Sequence, residues 1–199
     1  MSTKVILVEL WRSLINNNKC HSSELVELLQ KSAVEHLATY RQLLAQDFGS
    51  VVTIVTTDFE ALYACKRGDY QQCLQLSTQN VHATLLNDVI PCVPTYPEFI
   101  QLMDDDIVSL TALTLIVNPQ CSMWCHSTCI FQMILSLYLI TQCQLKLHHP
   151  VTSLAQTLHY VEVAERRLPL DNTLDRLTLK LTKRKLKMYV NTLLQNFSD

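Results

Sequence analysis

The chain has 199 residues, 48% of them hydrophobic, with 16 basic and 18 acidic side chains and a formal net charge of −2. That length suits one domain burying about 70% of its unfolded surface, and so small a net charge excludes strong steering of a charged partner. Two glycines in the whole chain exclude Gly-rich phosphate loops and most tight hairpins; neither GxGxxG nor GxxxxGK(S/T) occurs. Leucine dominates and the six prolines fall between apolar runs, the composition of an all-α chain.

Charge is unevenly spread. Residues 1–106 hold 7 basic and 13 acidic side chains, net −6, and residues 146–199 hold 9 basic and 5 acidic, net +4. The basic end suits an acidic partner, or the acidic front half of the same chain. Val5-Ile6-Leu7-Val8 is too short for the apolar region of a signal peptide, with Glu9 and Arg12 close behind. A cytoplasmic chain is therefore expected, its eight cysteines reduced and the sequon Asn196-Phe197-Ser198 silent.

In chain order, a weak helix is expected over residues 4–15, with residues 1–20 loosely attached. A second, over 23–46, follows Ser22-Ser23 and carries Leu25, Leu29, Ala33, Leu37, Tyr40 and Leu44 at helical spacing. Val51, Val52, Thr53, Ile54 and Val55 are β-branched and suit a strand. No comparable second strand is apparent, so this stretch is assigned to a helix. Thr57 and Glu60 have capping-box spacing, and Lys66-Arg67 fall where a helix end favours cations. Gly68 then suits the left-handed position after that end, and Asp69 caps the following helix, with Gln72 three residues on. Two helices joined this way run antiparallel.

A fifth helix is expected from Thr95, with Glu98 in its first turn. Phe99, Met103, Ile107, Leu110, Leu113 and Val117 make its apolar face, and Asn118-Pro119 ends it. The last three are expected over about 128–147, 152–168 and 173–195. Leu154, Leu158, Val161 and Leu168 stripe the second of these, and Leu174, Leu177, Leu181 and Met188 the third. The short links imply four successive antiparallel hairpins in one domain over 1–199, as a bundle or a short solenoid. Such a unit also suits one module of a longer protein.

The segment Phe59 to Leu76, with Tyr63-Ala64 on its first helix, Gly68-Asp69-Tyr70 at the turn and Cys73-Leu74 on the second, resembles a tetratricopeptide repeat. The likeness spans residues 57–81. A looser one over 138–169 places Leu154-Ala155, Ala164 and Pro169 near repeat positions. Tyr63-Ala64 reverses the usual order, no proline closes the first repeat, and the spacing exceeds a strict period of about 34. The resemblance implies a helical-repeat protein that binds peptides or proteins.

From Ile107 to Leu145 the chain runs 39 residues without Asp, Glu, Lys or Arg. A membrane span needs about 20 mostly apolar residues. This run is cut at Asn118-Pro119-Gln120, and its later part carries His126, Gln132, Gln142 and Gln144. It therefore reads as a core, with the helix over 128–147 at its centre. A membrane-associated protein using 123–145 is the alternative.

Cys121, Cys125 and Cys129 are spaced by four with His126 among them, which is zinc-ligand chemistry; Cys143, His148 or His149 would complete it. No CxxC pair accompanies them, and buried thiols pack as small hydrophobes. A Cys125 nucleophile with a histidine base lacks any surrounding signature. Asp104-Asp105-Asp106 point about 100° apart on a helix and do not converge, so they read as a solvated face. Arg176, Lys180, Lys183, Arg184, Lys185 and Lys187 make the last helix basic, and with no interleaved aromatics it does not suit nucleic acid.

The expected function is thus protein or peptide binding without chemistry, cofactor or metal. The candidate partner-binding residues are Tyr63, Lys66, Arg67 and Tyr70 at the turn and Lys180, Lys183, Arg184 and Lys187 on the last helix.

Overall fold

A computed structural model describes residues 49–86, 92–96, 102–117, 128–168 and 172–196. The helices expected over 4–15 and 23–46 lie outside them. The described residues are mostly helical. In chain order they form α1 (Gly49–Lys66), α2 (Tyr70–Leu86), β1 (Cys92–Tyr96), α3 (Asp105–Val117), β2 (Thr128–Phe131), α4 (Gln132–Lys146), α5 (Val151–Arg167) and α6 (Thr173–Asn196).

Helix α1 takes in the β-branched stretch. Each such residue costs a helix only a few tenths of a kcal/mol, and the later half of α1 buries Phe59, Ala61, Leu62 and Ala64. Thr57 lies inside this helix rather than capping it, a correction to the sequence reading.

The α1–α2 turn forms as its residues dictate. The Asp69 N–H donates to Ala64 O at 2.9 Å and the Gly68 N–H to Cys65 O at 3.0 Å, closing the end of α1 as a Schellman motif. Gly68 takes φ +79°. Asp69 Oδ1 accepts from the Gln72 N–H at 3.1 Å and caps α2.

The sequence reading missed a small sheet. β1 and β2 pair antiparallel, with Cys92 opposite Phe131 and Val93 opposite Ile130. Thr95 therefore belongs to a strand and does not open a helix. Pro94 and Pro97 push Val93 and Tyr96 toward extended backbone, which outweighs the Thr95–Glu98 capping signal. Likewise Thr128 to Phe131, β-branched and aromatic, form a strand, and α4 begins only at Gln132.

Helix α3 begins ten residues later than expected. Met103 and Ile107 are buried, but Leu113 (46% exposed) and Val117 (67%) face outward, while Thr111 and Thr114 turn in. Phe99 lies outside the described residues. On α6 the expected stripe is rotated: Leu174 is buried, but so are Thr178, Leu179, Thr182 and Leu186, whereas Met188 is 59% exposed.

Helix α4 is the centre, as the uncharged run implied. Ten consecutive residues from Gln132 to Thr141 are buried, and Cys143 and Gln144 follow. It packs against α1 and α2 on one side and against α5 and α6 on the other. At its end the His149 N–H reaches Gln144 O at 3.0 Å, with His148 at φ 52° in the position that Gly68 holds after α1. Pro150 then precedes the first turn of α5. Among the described residues no helix is long and apolar enough to cross a membrane.

Gly68→Ala meets no steric obstacle, since no atom lies within 4 Å of the added Cβ. Its whole cost is the left-handed backbone, about 1 kcal/mol. Urea unfolding should show a lower midpoint with an unchanged slope.

Candidate functional site

Three groups of polar or sulfur side chains converge from separate helices. The first surrounds Asp58, which has no exposed surface. Asn80 Nδ2 on α2 donates to its Oδ1 at 2.8 Å, and Ser136 Oγ on α4 donates to the same atom at 3.1 Å. Thr84 extends the network to Gln132 Oε1 at 3.5 Å. Asp58 Oδ2 is buried without a hydrogen-bond partner. Burial raises the Asp58 carboxyl to about 8, against smaller opposing effects of Gln132, Ser136 and Asn80. At neutral pH it is an acid rather than a carboxylate.

The second group revises the reading of Asp104 to Asp106 as a solvated face. Asp104 stands before α3 and caps it, Oδ1 accepting from the Ile107 N–H at 3.1 Å. Its Oδ2 accepts from the Tyr138 hydroxyl. That hydroxyl also lies 3.0 Å from Asp106 Oδ2, and Asp106 pairs with Lys185 of α6. Because Asp104 precedes the helix, two of the three carboxylates can meet after all; only Asp105 is fully exposed. Burial raises the Asp104 carboxyl, the Lys185 ammonium lowers that of Asp106, and burial beside the two carboxylates raises the Tyr138 phenol. Lys185 also sits 5.3 Å from the Tyr138 ring centroid.

The third group is sulfur. Cys129 lies on β2, not at the start of α4, and is half-buried beside Cys92 of β1. Cys121, Cys125 and His126 lie outside the described residues. Cys143, the suggested completing ligand, instead joins Cys65 and Cys73, and the three Sγ atoms lie within 4.8 Å of one another. His148 is turned to the Tyr189 hydroxyl at 3.0 Å. The sequence did hold a sign of this cluster. Cys65 stands three residues before Gly68 and Cys73 five after it, so a tight hairpin sets them face to face.

The candidate partner-binding residues fall into two sets. At the α1–α2 turn, Lys66 Nζ donates to Met103 O at 3.4 Å, and Arg67 covers the Tyr63 ring at 5.5 Å. Tyr70 is half-buried against the core. Those side chains are largely engaged in the fold. On α6, Lys183 pairs with Glu165 at 2.7 Å. Lys180, Arg184 and Lys187 stand exposed with Arg176 and Met188 along one face. Those four cations have no acidic partner among the described residues.

Comparison with protein-family models, with curated proteins and with solved structures finds no match.

Two measurements probe these networks. The folded Asp58 carboxyl has a raised pKa, so the native state binds its proton more tightly than the unfolded chain. Its stabilising effect is full below about pH 4 and is lost as pH rises toward 8. Asp58→Asn, which cannot ionise, should flatten the decline of the urea midpoint between pH 5 and 8. Lys185→Met should cost on the order of 1 kcal/mol, small because the pair is partly exposed, whereas Lys187→Met should stay within about 0.5 kcal/mol of the parent.

Proposed function

We propose that the chain is a protein-binding module of tetratricopeptide-like build, with the outer face of α6 as its docking surface and an acidic segment as its ligand. The helix contacts support the build. α1 and α2 form one hairpin, α4 and α5 a second, and α6 follows as a closing helix. α4 packs on both members of the first hairpin, and α6 on both members of the second, the neighbour-to-neighbour pattern of a solenoid. β1, α3 and β2 lie between the two hairpins in the chain.

The observation that carries the ligand class is the row Arg176, Lys180, Arg184 and Lys187, spaced four, four and three residues apart. That spacing puts all four on one helix face, and each is exposed. Their neighbours Lys183 and Lys185 are held by Glu165 and Asp106, which leaves the outer row for a partner. Met188 adds an apolar contact point beside them.

Fluorescence anisotropy with a labelled poly-glutamate peptide tests this reading. Binding should weaken with salt and fall at least roughly tenfold when the four cations are changed together to alanine, with circular dichroism confirming that the variant is folded. Undiminished binding by the variant, or binding to phosphatidylserine vesicles but not to the peptide, would overturn it.

A further inference from the structure

We propose that Cys65, Cys73 and Cys143 form a three-thiolate site for a soft metal ion, copper(I). The three residues come from three helices. Cys65 is in the last turn of α1, Cys73 in the first turn of α2 and Cys143 near the end of α4. Their Sγ atoms already lie within 4.8 Å of one another. Three sulfurs bonded at about 2.3 Å in a trigonal plane stand roughly 4.0 Å apart. Closing the site thus needs shifts below an ångström, within the reach of side-chain rotation.

The surroundings favour thiolate. Cys65 lies near the ammonium groups of Lys66 and Lys146, positive charges that suit a thiolate. Binding an ion displaces the thiol protons to solvent and leaves a net negative complex. Lys66 and Lys146 offset that charge.

The donor set selects the metal. Three sulfurs without a nitrogen or carboxylate suit a soft ion, and a structural zinc site takes four ligands. No fourth Cys, His, Asp or Glu joins the three among the described residues. Cys73 and Cys143 are buried and Cys65 half-buried, so the ion enters along the Cys65 side. This site is separate from the proposed docking face on α6, and either assignment can fail without the other.

The test is an anaerobic copper(I) titration against a chromophoric chelator. The full-length chain carrying serine at positions 20, 92, 121, 125 and 129 should retain one tightly held copper(I). Adding Cys65→Ser should abolish it without changing the helical circular dichroism signal. Because buried substitutions can impair folding, the unaltered chain gives a second readout. Copper(I) should slow alkylation of Cys65 by iodoacetamide at least roughly tenfold, as expected of a ligated thiolate. Copper retained after Cys65→Ser, unprotected alkylation, or displacement of the ion by equimolar zinc would each overturn the proposal.

Discussion

The structure depends on the desolvation of α4. A helix buried on every side must satisfy its polar side chains without water, because an unpaired buried polar group costs about 1–3 kcal/mol. Thr141 bonds back to Leu137 O of its own helix at 2.9 Å, and the other such side chains find partners on other elements. Ser136 reaches Asp58 on α1, and Gln132 accepts from Thr84 on α2. Gln144 accepts from Thr157 on α5 at 2.9 Å. Tyr138 reaches the start of α3 and Lys185 on α6. Apolar packing supplies most of the stabilisation, but these bonds fix the rotation of each outer helix about the central one. A core of leucines alone would tolerate several rotations.

The same economy of partners extends to the ends of elements. Phe131 precedes α4 without a side-chain cap of its own. Its N–H donates instead to Asp175 Oδ1 at 2.9 Å, and Asn172 Nδ2 donates to Cys129 O at 2.7 Å. The beginning of α6 thereby holds both β2 and the beginning of α4. On this helix the inward side is structural and the outer row of cations has no acidic partner among the described residues, so a net count of its positive charge says little about partners.

What was legible in the sequence was local. The turn at Gly68-Asp69 followed from residues within four positions of each other, and the limits of α5 and α6 from apolar spacing and prolines. The later part of the uncharged run, in α4, is a buried centre, whereas Leu113, Ile116 and Val117 in its first part are exposed. What was not legible depended on pairings across long distances. The β1–β2 sheet joins residues nearly forty apart, and nothing local to Thr95 or Thr128 names the other strand. The Asp58 network joins residues 78 apart. The rotated faces of α3 and α6 have the same origin. Their buried threonines, Thr111, Thr114, Thr178 and Thr182, look polar in the sequence, but Thr114 and Thr182 return their hydroxyls to Leu110 O and Thr178 O of their own helices. Cys143 likewise joined the α1–α2 turn rather than the cysteines just before it.

The stretch of chain between the two hairpins has a consequence for the order in which the protein is made. Contacts between elements close in sequence can form as soon as both have been made. Here α4, which packs on both helices of the first hairpin, begins only at Gln132 and is synthesised well after them. At about 5–20 residues per second, the 78 residues from Asp58 to Ser136 take roughly 4–16 s to synthesise. The contacts that α4 makes with the first hairpin are thus among the last of that hairpin's described packing to become possible during synthesis.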